Sequence, residues 1–333
     1  MLEGSPLSEN HHEKNGDPSL PLVVVNPKSA GGATRDRWAA AASDFRAHFG
    51  AFSVAFTKAA GDGIHITESA ARGGRRFIIA CGGDGTINEV ANGILSSGED
   101  AELGILPSGT GGDFRRSLGI PLGTAQAARA LKDGITKRID VGHVSFIDNA
   151  GIPAERYFLN VSSFGLATSI IRRVKSTSAF DWLPVGGFRG KANFAVATLR
   201  EVIDMDPKLV RVAIDDDEPT NLQTVNFCVA NARYFGGGMM IAPGAKLDDG
   251  RLDLVNIGDI STLRILANAH TLYLGTHEQL PEVKSRLVSR IEVAPHDPAS
   301  PIPLEIDGEL PGTLPAVYDV IPSALRVRVP RSS

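Results

Sequence analysis

Several features are scarce in this chain, and each scarcity narrows what it can be. Only two of its 333 residues are cysteine, Cys81 and Cys228, both inside apolar strand-like runs and without metal-ligand spacing. A disulfide framework and a thiolate zinc site are thereby excluded, and two buried thiols in a reducing compartment are expected. No apolar run approaches the roughly 18 residues needed to span a bilayer. The first twenty residues, MLEGSPLSENHHEKNGDPSL, are polar and lack the apolar stretch of a secretory signal. They read as a disordered tail, 1–20, in which His11 and His12 are solvated rather than metal-bound. Charge of one sign is also lacking: 34 Lys and Arg face 38 Asp and Glu, a net charge of −4. Overall charge therefore gives no case for nucleic acid as a partner. Neither G-x-x-x-x-G-K-[ST] nor a G-x-G-x-x-G opening the first helix occurs, so the two commonest nucleotide signatures are missing.

What the chain does have is an alternation of textures. PLVVVNP (21–27) is a short β-branched run of the kind that forms a buried parallel strand. A glycine-containing turn and a helical pattern follow, with Trp38, Ala41, Phe45 and Phe49 near helical spacing. Strand and helix patterns then alternate to about residue 140, which predicts an α/β layer with a parallel sheet over 21–142. Beyond that, strand-like runs dominate, among them RYFLNVSSFG, TVNFCVANA, RLDLVNIG and IPLEIDGE. Helical patterns interrupt them near 188–203 and 261–275. This second region, 143–317, is predicted to be a mainly antiparallel β-sandwich, and ALRVRVP (324–330) to return to the first domain as an added strand, so that 318–333 belongs with 21–142.

Two glycine-rich stretches, CGGDGTINEV (81–90) and LPSGTGGDFRRSLGIP (106–121), each stand between a strand pattern and a helix pattern. Glycine lets backbone N–H groups approach a ligand closely. Such groups at a helix N-terminus, on the carboxyl edge of an open α/β sheet, suit phosphate. One such loop is an ordinary tight turn; two of them, each with Gly-Thr and an aspartate, point to a nucleotide.

In order along the chain stand VVVNPKSAGG, GGDGTINEVANGI, LPSGTGGDFRRSLGIP, APGAKLDDGRLDL and PLEIDGE. Together they resemble the diacylglycerol kinase catalytic family, and most closely its soluble bacterial lipid kinases, over residues 21 to about 330. The resemblance implies a nucleotide domain, a β-sandwich domain, and a site in the cleft between them. It departs in two places. The second loop has Gly112 where the family has asparagine, and SFGLATS has Ala167 and Thr168 where the sphingosine-kinase branch carries an aspartate.

Carried over residue by residue, the resemblance places ATP along Asn26, Pro27, Lys28, Ser29 and Ala30, with Thr57 nearby. It also places ATP along Gly83, Asp84, Gly85, Thr86, Ile87, Asn88 and Glu89, with Thr110 in the second loop. The residues agree with that chemistry: loop amides face phosphate oxygens, Thr86 and Thr110 offer hydroxyls, and Asp84 beside polyphosphate makes sense through Mg²⁺. Phosphoryl transfer to an alcohol also needs a base. Asp307 and Glu309 in EIDGE, two apart, fall on one face of an extended chain. Glu309 is the first choice by resemblance and Asp307 the second, against the plain alternative of an Asp-Gly hairpin turn. Asp140 stands at the domain junction, where related enzymes have an essential aspartate; the alternative is a hinge cap. KLDDGRLDL resembles the family's structural Mg²⁺ loop, with Asp249 as ligand and the carbonyls of Lys246 and Arg251 assisting. Arg115, Arg116, Arg172, Arg173 and Lys175 are either phosphate or membrane contacts or simply solvated.

The expected protein is thus a cytoplasmic ATP:lipid phosphotransferase, peripheral at the membrane, acting on diacylglycerol or a similar lipid alcohol with ATP and Mg²⁺. The apolar acceptor is expected in a cleft between the two packed sheets, with AFDWLPVGGF (179–188) beside it. Homodimerisation is left open. A ceramide, sphingoid or phosphatidylglycerol kinase, an NAD kinase sharing GGDGT, and a non-catalytic nucleotide or lipid sensor are the rival readings.

Overall fold

The computed structural model describes residues 17–108, 112–176 and 206–331. Most of the N-terminal tail, Thr110, the segment 179–188 with Trp182 and Phe188, and the helical pattern at 188–203 lie outside the described residues.

In the first half, β1 (Leu22–Val25) is buried at every position, as a strand covered on both faces must be. It pairs in parallel with β2 (Ser53–Phe56) and β3 (Phe77–Gly82). β3 in turn pairs in parallel with β4 (Glu102–Pro107). Five helices connect and cover these strands: α1 (Ala33–Phe49), α2 (Asp62–Arg72), α3 (Asp84–Ser97), α4 (Asp113–Ser117) and α5 (Thr124–Asp133). α1 packs on α5 and α2 on α3.

The rest is antiparallel. β5 (Ile135–Asp148) pairs with β6 (Pro153–Phe158). β7 (Val161–Gly165) leads into α6 (Leu166–Ser176). Then come β8 (Lys208–Ile214), β9 (Thr220–Thr224), β10 (Asn226–Ala230), the two-residue strands β11 (Tyr234–Phe235) and β12 (Met239–Met240), and β13 (Leu252–Ile257). Helices α7 (Thr262–Asn268) and α8 (Thr271–Leu274) precede β14 (Val283–Val288), β15 (Arg290–Pro295), β16 (Pro303–Ile306) and β17 (Glu309–Val329).

The fold is an α/β domain with a parallel sheet joined to a β-sandwich-like domain, as the sequence led one to expect. The two are not separate in hydrogen bonding. Fifteen strands form one network, ordered β14-β13-β10-β7-β16-β17-β4-β3-β1-β2, with β5, β6, β8, β9 and β15 branching from β17. β17 makes the junction: its C-terminal end pairs in parallel with β4 through Arg326 and Val327, and its length pairs antiparallel with β5. Ile139, Val141, Leu325 and Val327 belong to the first core, whereas Val144, Phe146, Ala316 and Tyr318 belong to the second. Between them on β5 is Gly142, where a Cβ would run into the Phe158 ring.

The sandwich interior corrects one expectation. Phe158, Phe164, Phe227, Leu304 and Tyr318, all fully buried, fill the space between the layers, so among the described residues no acceptor cleft opens there. The open apolar space lies instead on the outer face of β7, β10 and β13, where Val161, Cys228, Ala230 and Val255 alternate with residues of the interior.

Candidate active site

Because β1, β3 and β4 are parallel, the loops after them emerge at one edge. After β1, Asn26 makes an Asx turn, its Oδ1 accepting from the Lys28 amide at 3.0 Å. The Lys28 ammonium donates to the Lys58 carbonyl at 3.0 Å. Ser29 shares a hydroxyl chain with Thr34, whose Oγ1 lies 2.6 Å from Ser108 Oγ at the end of β4. The first loop is thereby tied to the start of the second. After β3, nothing among the described residues lies within 4 Å of a Cβ built on Gly83 or on Gly85; against those residues these glycines leave open room instead of fitting against a neighbour.

Asp84, the first residue of α3, accepts the amides of Asp113 at 2.9 Å and Phe114 at 3.1 Å. Asp113 accepts the Gly237 amide at 2.8 Å and a guanidinium N–H of Arg116 at 2.8 Å. Arg116 in turn lies over the Tyr234 ring. Burial, opposed by the Gly237 amide and reinforced by the Asp84 charge, holds the Asp113 carboxyl above its ordinary value. Gly112, the departure from the family motif, has φ 117°, and a Cβ there would press on the Arg115 side chain at 2.8 Å.

These two aspartates form the acidic end of a pocket of about 720 Å³. Its walls are apolar: Ile170 and Ile171 of α6, Val225, Ile257, Ile265 and Leu272 are representative. Asn160, Glu305, Asp307 and Gly308 join Asp84 and Asp113 among its polar lining.

Asp307 is not placed as its spacing suggested. Ile306 pairs with Glu309, so Asp307 and Gly308 form a two-residue hairpin turn with φ of 45° and 87°. Asp307 and Glu309 therefore do not share a face of an extended strand. The Asp307 carboxylate accepts the amides of Leu159, Asn160 and Val161 at 2.8, 2.9 and 3.0 Å and the Asn88 side-chain amide at 2.8 Å. Burial pushes its carboxyl up to about 6 against these four donors. Glu309 follows on the exposed side of the turn.

Asp140 is corrected as well. It is 1% exposed and is not part of the pocket lining. Its oxygens accept the amides of Ser323 at 2.7 Å and Gly250 at 2.6 Å, so it anchors β17 and the 246–251 turn rather than facing a substrate. On that turn Asp249 accepts the Arg251 amide at 3.1 Å. Burial and the charges of Asp249 and Glu278 push the nearby Asp253 carboxyl up to about 6. That is the negative charge a divalent cation offsets. Among the described residues, however, no three His, Cys, Asp or Glu side chains form a metal cluster; an ion there would draw on backbone oxygens such as those expected of Lys246 and Arg251.

Comparison with known proteins agrees with this layout. Residues 21–144 match the diacylglycerol kinase catalytic domain, and residues 168–329 match the YegS C-terminal NAD kinase beta sandwich-like domain. Residues 21–144 thus belong to the diacylglycerol kinase catalytic-domain family and residues 168–329 to the YegS C-terminal domain family. A diacylglycerol kinase of Mycobacterium tuberculosis is 29% identical over 271 residues, covering 81% of this chain and 82% of the relative. One of Bacillus subtilis is 26% identical over 310 residues, covering 93% and 96%. A solved diacylglycerol kinase structure from Bacillus anthracis shares the fold, with a TM-score of 0.66 at 21% identity, over 93% of this chain and 97% of that one.

The structure sorts this chain's version of the family motif into two groups. Gly83, Asp84 and Gly85 face the open side. The side chains of the rest do not: Thr86 and Ile87 are 2% exposed, with Thr86 packed beneath Gly82. Asn88 holds Asp307, and Glu89 accepts the amides of Gly61 and Gly63 at 2.9 and 3.0 Å, fixing the start of α2. Thr57 is 5% exposed. Pro27 and Ala30 complete the first loop. Sequence reasoning did not single out Thr34, Ser108 or Asn160, and it used Asp113 only as the aspartate of the second glycine stretch, the stretch that also holds Ser108.

Proposed function

We propose that the chain is an ATP-dependent lipid kinase that phosphorylates the hydroxyl of diacylglycerol or a similar lipid alcohol at the membrane surface. The observation that carries this reading is the polarity of the pocket, a long apolar wall ending at Asp84 and Asp113 beside the open glycines Gly83 and Gly85. An acyl chain suits the wall, and a hydroxyl at the acidic end lies next to a site suited to polyphosphate.

The amides of the Gly83–Gly85 loop would bind and orient the nucleotide, with Lys28 beside them; the Asn26, Lys28 and Ser29 amides already donate within the protein and only shape the neighbouring loop. Asp84 and Asp113 fit Mg²⁺: two neighbouring carboxylates, one of them already raised by burial and by the other's charge, favour a cation between them and the phosphates. When bound, Mg²⁺ offsets charge on the transferred phosphoryl group. Asp307 has its carboxylate oxygens engaged by four donors and acts as a positioning residue for the turn and for residues 159–161. Glu309, next to the pocket-lining Gly308, is the base we assign to the hydroxyl proton; as the O–P bond forms, the proton passes to its carboxylate and ADP leaves.

Two rivals fit less well. At Ala167 and Thr168 the Ala167 amide binds Asn226 and the Thr168 hydroxyl donates to the Ser163 carbonyl; neither side chain is an acid that would pair with a sphingoid amine. A largely apolar pocket is also a poor match for the second nucleotide half of NAD.

The test is γ-labelled ATP with a panel of diacylglycerol, ceramide, sphingosine and phosphatidylglycerol in mixed micelles, and NAD in solution. Label in the product of diacylglycerol, well above sphingosine, is expected. Label in ceramide or phosphatidylglycerol instead moves the acceptor, and label in NAD with no lipid product overturns the lipid-kinase reading.

A further inference from the structure

Most polar side chains that line the pocket already have partners. Asp84 and Asp113 accept backbone amides and Asp307 accepts four donors. Glu305, 3% exposed, accepts the Gly308 amide and the Ser163 hydroxyl, each at 2.6 Å. Two buried side-chain atoms of the lining have no hydrogen-bond partner among the described residues. One is Nδ1 of His277, whose ring is held among apolar residues with Nε2 on the Ile241 carbonyl at 3.0 Å. The other is Oδ1 of Asn160.

Asn160 stands at the polar end, beside Asp307. Its backbone N–H donates to the Asp307 carboxylate at 2.9 Å, and its carbonyl accepts the amides of Asn231 and Ala232 at 2.8 and 3.1 Å. The main chain is thus pinned on both sides, while the carboxamide is bonded to nothing among the described residues. The residue is 6% exposed. Of its two ends Oδ1 is the buried one, which leaves Nδ2 as the end turned to the pocket. A polar side chain buried this far without a partner is costly, and a ligand is what would supply one.

The neighbouring groups indicate which ligand atom it meets. Asp84, Asp113, Glu305 and Asp307 are carboxyl groups, which when ionised only accept hydrogen bonds. An ester carbonyl also only accepts, so it finds no partner among them. A carboxamide donates through Nδ2 and adds no charge. In diacylglycerol one ester is carried on the carbon next to the one bearing the free hydroxyl. A hydroxyl directed to the acidic end therefore brings that ester carbonyl to the same end of the pocket.

We infer that Asn160 is a specificity-determining residue: its Nδ2 donates to the ester carbonyl beside the reacting hydroxyl, so that the acceptor is held by its ester linkage as well as by its chains. This deepens the lipid-kinase reading and rests on it for the nature of the ligand, but it is tested without turnover.

Dioleoylglycerol is compared with the matching dialkyl ether, which keeps the hydroxyl and the chains but has no carbonyl. Each displaces a fluorescent dialkylglycerol from the protein in mixed micelles, with no ATP present. The wild type should bind the diester about tenfold more tightly than the diether. Asn160→Leu, close in size and unable to donate, should bring the diester down to the affinity of the diether and leave the diether unaffected. Asn160→Asp, nearly isosteric and without the donor, should also lose the preference, and it decides the matter where the leucine variant does not fold. In steady state the KM for the diester should rise in both variants by the same factor, with a smaller change in kcat. A wild type that binds diester and diether alike overturns the inference, as does a preference that the variants retain. Diether phosphorylated as readily as diester removes this contact and keeps the kinase reading. An Asn160-dependent preference in binding, with no phosphorylated product from any lipid, keeps the contact and removes the kinase reading instead.

Discussion

At the glycine-loop end of the pocket the groups come from two short loops: Asp84 caps the helix that Asp113 begins, and Gly83 and Gly85 flank Asp84. At the other end the wall is collected from α6, β10, β13, α7, α8 and β14, separated by long stretches of chain. The first end is polar, held by backbone amides and recognisable as a motif. The second is apolar, with α7 and α8 lying on its edge with no buried residue. The charged end is built from short segments, and the apolar wall from whatever apolar faces the topology brings together.

Altering each end in turn should separate the two roles. The largest effect is expected at the polar end. Asp84→Asn removes the charge but keeps one acceptor for the α4 amides, so turnover should fall by about 10²-fold or more with little change in melting temperature. Single-turnover kinetics and a thermal melt check this together. Ala269→Trp places a ring in the apolar wall and should raise the KM for the lipid by roughly tenfold while leaving nucleotide affinity unchanged, as read by equilibrium binding of a fluorescent ATP analogue.

Two smaller effects concern the structure that joins the ends. Asn88→Ala removes one of the four donors to Asp307 and should cost about 1–3 kcal/mol in urea denaturation. It should also lower activity, because Asp307 positions residues 159–161 and the turn bearing Glu309. Glu102 clasps Arg328 at 2.7 Å through both oxygens and accepts the Thr136 hydroxyl at 2.6 Å. Burial works against its ionised form, but these partners outweigh burial and hold the carboxyl below the ordinary 4.5. A lowered folded-state value means the clasp contributes its full stability above about pH 4.5 and loses it as pH falls through the folded value. Glu102→Gln should therefore destabilise by about 1–2 kcal/mol at neutral pH, with the gap from wild type closing in acid.

How much of this was legible in the sequence differs between the ends in the same way. The β-branched runs 22–25 and 77–82 and the return of residues 324–330 to the first sheet were readable, because strand burial writes itself into local composition. Gly83, Asp84 and Gly85 were readable as an open loop leading into a helix, because glycines between a strand pattern and a helix pattern mark such a loop locally. The roles of Asn88, Glu89 and Asp140 were not. Their partners, Asp307, Gly61 and Gly63, and Gly250 and Ser323, are brought to them only by tertiary structure. Asp307 was misplaced because an i, i+2 rule holds on a strand, and Asp-Gly made a turn instead. The pocket was expected between the sheets, but large aromatic side chains fill that space, and an alternating strand does not reveal which of its two faces will be left uncovered.

The central claim is that the acceptor's acyl chain lies on the outer face of β7, β10 and β13, under α6, α7 and α8, with its hydroxyl toward Asp84 and Asp113. The most direct test is a photoreactive diacylglycerol carrying its reactive group at the end of an acyl chain, followed by mapping of the labelled peptides. Labelling of Ile170, Ile257, Ile265 or Leu272, reduced by unlabelled diacylglycerol and by Ala269→Trp, is the result predicted. Labelling that falls instead on residues between the sheets, such as Phe164 or Phe227, or that is indifferent to Ala269→Trp, would contradict it.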